Sequence, residues 1–100
     1  MKKITPESTF ESSINSSSKV IVEFSAEWCG PCRTMKPILE EISKETDISV
    51  FEVDVDEDPE LAERFNIRNI PTTLYFKDGQ LFDKTVGSKA KNKIIENFNE

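Results

Sequence analysis

Apolar residues recur along this chain with two periods, and the switches between them mark out its elements. Val20-Ile21-Val22-Glu23-Phe24 is β-branched and apolar on both faces apart from one acid, the pattern of a central strand covered on each side. After Cys29 the apolar positions become Met35, Ile38, Leu39 and Ile42, the i, i+3, i+4, i+7 stripe of an amphipathic helix lying on a sheet. Pro37 falls inside that stripe, where it cannot donate to the Arg33 carbonyl and is expected to kink the axis. Ile48 to Val55 reads as a second buried strand.

Weaker signals fill the gaps. Ser8-Thr9-Phe10-Glu11 fits a capping box, and Phe10 with Ile14 gives one apolar face, predicting a short helix to about Asn15. Ser16-Ser17-Ser18 is then a loop, and Ile4 offers a leading edge strand. Asp58 followed by Pro59 makes a helix start whose helix carries Leu61, Ala62 and Phe65 across the sheet. Thr72 to Phe76 and Leu81 to Val86 flank Lys77-Asp78-Gly79-Gln80, a hairpin with Asp-Gly at its turn. Gly87 and Ser88 lead into a last helix with Ala90, Ile94, Ile95 and Phe98 inward.

The expected class is α/β: a mixed sheet of four to five strands with helices on both faces, its early strands parallel through right-handed crossovers and its hairpin antiparallel. At 100 residues and 36% hydrophobic, the chain is expected to close one core, a single domain over residues 1–100. A formal charge of -6 argues against nucleic acid, which needs Lys and Arg to displace counterions, and points to proteins or small molecules as partners. Seven acids between residues 52 and 63 read as a solvated surface. Neither a signal-peptide stretch in residues 1–20 nor a bilayer-length apolar run occurs, so a cytoplasmic protein away from membranes is expected.

Chemistry concentrates in Trp28-Cys29-Gly30-Pro31-Cys32, where the chain's two cysteines stand one helical turn apart. A structural staple is disfavoured where thiol pools keep cysteines reduced. Structural zinc normally takes four ligands, and two thiols without a histidine do not supply them, so no metal is expected. An inert core pair fits poorly beside Trp28, Gly30 and Pro31, which read as an exposed turn. A reversible dithiol remains, and it needs no bound cofactor, because the sulfurs carry the electrons.

From Phe24-Ser25-Ala26-Glu27-Trp28-Cys29-Gly30-Pro31-Cys32-Arg33 through Pro37, Ile70-Pro71-Thr72, Lys77-Asp78-Gly79 and Val86-Gly87, the chain closely resembles the thioredoxin family over essentially its whole length. The resemblance implies the thioredoxin fold, a reversible dithiol at Cys29 and Cys32 and a cis-proline loop at Pro71. It implies reduction of protein disulfides, with electrons from a flavin-containing thioredoxin reductase or a ferredoxin-linked equivalent, and a monomer. Two departures stand out: Glu23 where the family usually has a buried Asp, and Glu52 where it usually has a Lys.

Each residue then has an expected role. Cys29, at the mouth of the second helix, is the nucleophile, because unpaired N–H groups and the positive end of the helix dipole favour its thiolate. Lower basicity offsets much of that gain, so placement must supply the rest: Cys32, one turn on, resolves the mixed disulfide intramolecularly. Glu23 is a candidate general base for Cys32, its pKa raised by burial and by Glu52; alternatively an unseen Lys or Arg neutralises it in a structural role. Trp28 is an apolar platform for substrate, or else a plain core residue. Gly30, Pro31, Ile70, Pro71 and Gly87 complete the substrate-binding rim, with Gly30 and Gly87 allowing close approach and Val55 and Asn69 beside them.

Two rivals stay open. A disulfide isomerase usually carries a histidine between its cysteines, and this chain has none. A binding module would use the same apolar rim without turnover.

Overall fold

Strands form where the fully apolar and alternating runs lie. In a computed structural model, which describes residues 1–6 and 8–99, the order is β1 (Lys2–Ile4), α1 (Phe10–Ile14), β2 (Lys19–Ser25), α2 (Gly30–Glu45), β3 (Ser49–Asp54), α3 (Pro59–Arg64), β4 (Thr72–Lys77), β5 (Gln80–Val86) and α4 (Lys91–Glu96), closed by a 3-10 turn (Asn97–Asn99). One five-stranded sheet runs β1-β3-β2-β4-β5. The first three are mutually parallel, β4 is antiparallel to β2, and β5 is antiparallel to β4. The expected α/β class and mixed sheet are therefore what forms.

β2 is central, and its side chains divide the core. Val20, Val22 and Phe24 face one way, into a cluster with Phe10, Ile14 and Leu61 from the α1 and α3 side. Ile21 faces the other way, packing with Met35, Leu39 and Ile42 of α2 and Ile94 of α4. The α2 stripe is buried as read, with Ile38 half-buried, and the helix continues through Pro37 to Glu45. In the hairpin, Asp78 (φ 51°) and Gly79 (φ 79°) both take positive φ, the geometry that makes Asp-Gly a two-residue turn. Asp58 caps α3 as expected, its Oδ1 accepting from the Leu61 N–H at 3.2 Å.

Three local expectations need correction. α1 starts at Phe10 with Thr9 at the cap, and no side chain caps it; Ser8 instead closes the preceding turn, its hydroxyl bonding both the N–H and the carbonyl of Thr5. Ala90 is exposed, because it is the residue before α4 and not part of its inner face, and Phe98 is buried from the 3-10 turn beyond the helix. The acid run is not uniformly solvated, since Asp54 is buried.

Register brings together residues that lie far apart in sequence. Lys3 pairs with Glu52, Glu52 with Glu23, Glu23 with Thr73 and Thr73 with Thr85, one position on each of the five strands. Directly paired side chains share a face. Glu23 has the parity of Ile21, so this polar row crosses the whole sheet on the α2 side, beneath the start of the helix that carries Cys32.

Candidate active site

β2 ends at Ser25, and four residues later the chain enters α2 at the dithiol. Cys29 is the extended residue before the helix (φ -89°, ψ 110°), followed by Gly30 and by Pro31, which suits a first turn because its missing N–H has no partner there to lose. Its Sγ accepts from the Cys32 N–H at 3.2 Å, so a helix-terminal donor points at the sulfur. The two sulfurs are joined as a disulfide across a Cα separation of 5.3 Å. Both cysteines are only 4% exposed, packed with Ala26 and against Val55 and Ile70.

Around these flush sulfurs the rim is open. Trp28 is 68% exposed, which removes the core-residue alternative for it. Gly30 and Pro31 are also exposed, and a Cβ at Gly30 would meet nothing, so no intramolecular contact requires glycine there. Facing them, the Ile70–Pro71 bond is cis and the Ile70 carbonyl oxygen lies 3.9 Å from Cys29 Sγ. Pro71 is buried, and its carbonyl accepts from the Gly87 N–H at 2.8 Å, where Gly87 holds φ +89°. Val55 is tied to the end of β2, its N–H donating to the Ser25 carbonyl at 2.9 Å. Asn69 is exposed, and its carbonyl accepts from the Thr72 hydroxyl.

Sequence reasoning missed the role of the acids beside this rim. Trp28 Nε1–H donates to Asp56 Oδ2 at 2.8 Å, and the Asp56 N–H donates to Asp54 Oδ1 at 2.8 Å, so the acid run anchors the tryptophan. No local signal announces a partner 28 positions away. Asp56→Ala is expected to free the indole and lower kcat/KM for a protein disulfide about two- to fivefold, the size of one partly solvated hydrogen bond. Trp28 is the only tryptophan, so its fluorescence reports the loosening directly; an unchanged spectrum and rate would remove Asp56 from the site.

Glu23 is fully buried under α2, and among the described residues neither carboxyl oxygen has a hydrogen-bond partner. The neutralising Lys or Arg of the alternative reading thus makes no ion pair with it. Burial pushes its pKa up to about 8, the Glu52 carboxylate adds to the rise, and Lys36 opposes it. Thr73, its neighbour in register, also has an unpartnered buried hydroxyl. A cavity of about 350 Å³ opens beside the neighbouring Glu52, lined also by Cys32, Lys36 and Asp54. Among the described residues no group of three or more His, Cys, Asp or Glu is placed to hold a metal ion, and no helix is long and apolar enough to cross a membrane.

A dithiol at a helix start, flush with a rim of exposed backbone and tryptophan, on this five-stranded α/β fold, defines the class as thiol-disulfide oxidoreductases. The comparisons narrow it. The sequence profile described as Thioredoxin matches residues 1–100. A thioredoxin of Rickettsia bellii is 44% identical over 98 residues, covering 96% of this chain and 93% of that protein. Among solved structures, an oxidised thioredoxin from Plasmodium falciparum superposes with a TM-score of 0.84 at 40% identity, covering 99% of this chain and 98% of that one. A mutant thioredoxin from Halobacterium salinarum gives a TM-score of 0.89 at 30% identity, with 98% and 89% covered. The chain belongs to the thioredoxin family, and it reduces protein disulfides by dithiol–disulfide exchange through Cys29 and Cys32.

Proposed function

We propose that the protein is a general reductant of protein disulfides, with Cys29 as nucleophile, Cys32 as resolving thiol and Glu23 as the base that takes the Cys32 proton. The observation that carries this reading is the Cys29 sulfur, held at the helix start by the Cys32 N–H and opposite the Ile70 carbonyl. The reduced Cys29 thiolate attacks one substrate sulfur, forming a mixed disulfide and releasing the other substrate sulfur as a thiolate, which takes a proton from water. Cys32 passes its proton to Glu23 and attacks Cys29 Sγ, so the Cys29–Cys32 bond forms and the second substrate thiolate leaves with the electron pair. That thiolate takes up the proton, and the protein is left oxidised.

Trp28, Gly30, Pro31, Ile70, Pro71 and Gly87 form the surface on which an extended substrate segment lies, which their grouping around the sulfurs supports. Thioredoxin reductase returns the electrons, the protein acts as a monomeric single domain in a reducing compartment such as the cytoplasm, and its role is electron transport for redox homeostasis. Equilibration against glutathione or dithiothreitol buffers tests this. The expected potential is about -270 mV, the value thioredoxin itself defines, whereas one near the -180 mV of disulfide isomerases would make the protein an isomerase or oxidase.

A further inference from the structure

Among the described residues four large apolar side chains are exposed, and three of them, Leu81, Phe82 and Val86, stand on β5. The fourth is Trp28. β5 is also the outermost strand of the sheet, pairing with β4 on one side and with no strand among the described residues on the other. A seven-residue edge carrying apolar side chains is a template for pairing with a second copy of the same chain. The opposite edge is not, since β1 is three residues long and begins with two exposed lysines.

Asp83 stands at the middle of β5. Its Oδ1 accepts from the Lys84 N–H at 2.8 Å and its Oδ2 from the Asn97 side-chain amide at 3.0 Å, so the carboxylate is fixed against the strand backbone. The Lys84 N–H thus has a partner before any neighbour arrives. Tyr75 pairs with Asp83 but Phe76 with Leu81, which leaves Phe82 as a bulged extra residue whose ring packs on Phe98, centroids 5.5 Å apart.

We propose that Asp83 keeps the β5 edge closed to a second copy of the chain and so holds the protein monomeric. Charge and symmetry act together with the hydrogen bond. When two identical strands pair antiparallel about a two-fold axis, the residue on the axis faces its own copy, and an axis at the middle of β5 sets Asp83 against Asp83. One residue further along, Lys84 faces Lys84. One residue back, the axis falls on the bulged Phe82 and lays the Asp83 carboxylate against Leu81. Each register therefore opposes like charges or sets a charge on an apolar side chain, and in each Asp83 must release the Lys84 N–H before a neighbouring carbonyl reaches it. The consequence extends to the dithiol: β5 runs into Gly87, whose N–H holds the Pro71 carbonyl, so a copy seated along Val86 would crowd the rim. That consequence rests on the rim being the client surface; the block at Asp83 does not.

The test is sedimentation equilibrium of the full chain over roughly 10 μM to 1 mM, where weak association shows, for wild type, Asp83→Ala, Asp83→Thr, Asp83→Ala with Leu81→Lys, and Glu60→Ala. Asp83 is exposed, so its variants are expected to fold, and circular dichroism checks this. Losing one facing charge pair and two capped N–H groups is expected to tighten association at least about tenfold, so both single Asp83 variants approach twice the chain mass where wild type stays at one. Concentration-dependent amide shifts in Asp83→Ala then fall on residues 80–86. Adding Leu81→Lys restores the monomer, and Glu60→Ala, which removes the same charge from the exposed surface of α3, remains monomeric. Monomeric behaviour of both single Asp83 variants would overturn the proposal, as would wild type pairing through β5 or association that Leu81→Lys leaves unchanged. At dilution Asp83→Ala reduces a peptide disulfide at the wild-type rate; a slower rate there without association would move Asp83 into the exchange reaction and overturn the block. Undiminished reduction by the paired form would leave the block standing and put the client surface elsewhere than the rim.

Discussion

Cys29→Ser is expected to abolish disulfide reduction, lowering the rate at least about a thousandfold in an insulin-type turbidity assay, because a serine hydroxyl neither ionises at neutral pH nor forms an exchangeable bond to sulfur. The fold should be unaffected, since the substitution exchanges one small side chain for another at the start of α2. Cys32→Ser is expected to fail differently. It retains the outer nucleophile and accumulates a mixed disulfide through Cys29, detectable as an adduct by intact-protein mass spectrometry. The contrast assigns attack and resolution to separate sulfurs. Were the adduct to form on Cys32 in Cys29→Ser instead, the roles would be reversed. A Cys29→Ser protein that retained full partner function would mean that the rim acts as a binding module.

Glu23→Leu is expected to stabilise the protein strongly and in a pH-dependent way. The pKa of Glu23 rises from the usual 4.5 to about 8 on folding. Between those values the native state keeps a proton that the unfolded chain has lost, so stability falls as pH rises through this window and levels off above it. The span corresponds to an upper limit of about 5 kcal/mol. Imperfect packing of leucine offsets part of this, leaving a gain of roughly 2–4 kcal/mol near pH 8.5 and a smaller one near pH 5, where only the unpartnered oxygens matter. For a chain of 100 residues that is a rise in Tm of roughly 10 °C or more at the higher pH. Denaturant melts at pH 5, 7 and 8.5 measure it, and parallel pH dependence in wild type and variant would contradict a raised carboxyl at this position. On the proposed assignment of Glu23 as the base for Cys32, the same variant should also reduce disulfides more slowly.

How much the sequence revealed depended on the range of the interactions involved. The α2 stripe, the apolar β2 run, the Asp58-Pro59 helix start and the Asp78-Gly79 turn were all readable, because each is decided by periodicity or by backbone preference over a few neighbours. The dithiol and the anomalous acid Glu23 were readable for the same reason: an acid inside an apolar strand violates a local rule. Where two local solutions compete, the reading slipped. Ser8 had a turn to close at Thr5 and so was not available to cap α1, and Ala90 lay one residue short of the buried face of α4. The links from Trp28 to Asp56 and from Val55 to Ser25 depend on how elements far apart in sequence pack together, which no single segment encodes. Those long-range placements modify a site whose two reacting atoms are themselves close neighbours in sequence.

The loops of the rim are pinned to the scaffold at their bases: the Pro71 carbonyl by the Gly87 N–H, and Val55 by the Ser25 carbonyl. An incoming chain therefore meets a shape that is already set, and little internal freedom is lost when it lands. A modest footprint suffices to align a foreign sulfur, and nothing need be rearranged for the product to depart. Such a protein suits brief encounters with many unrelated clients better than lasting attachment to one.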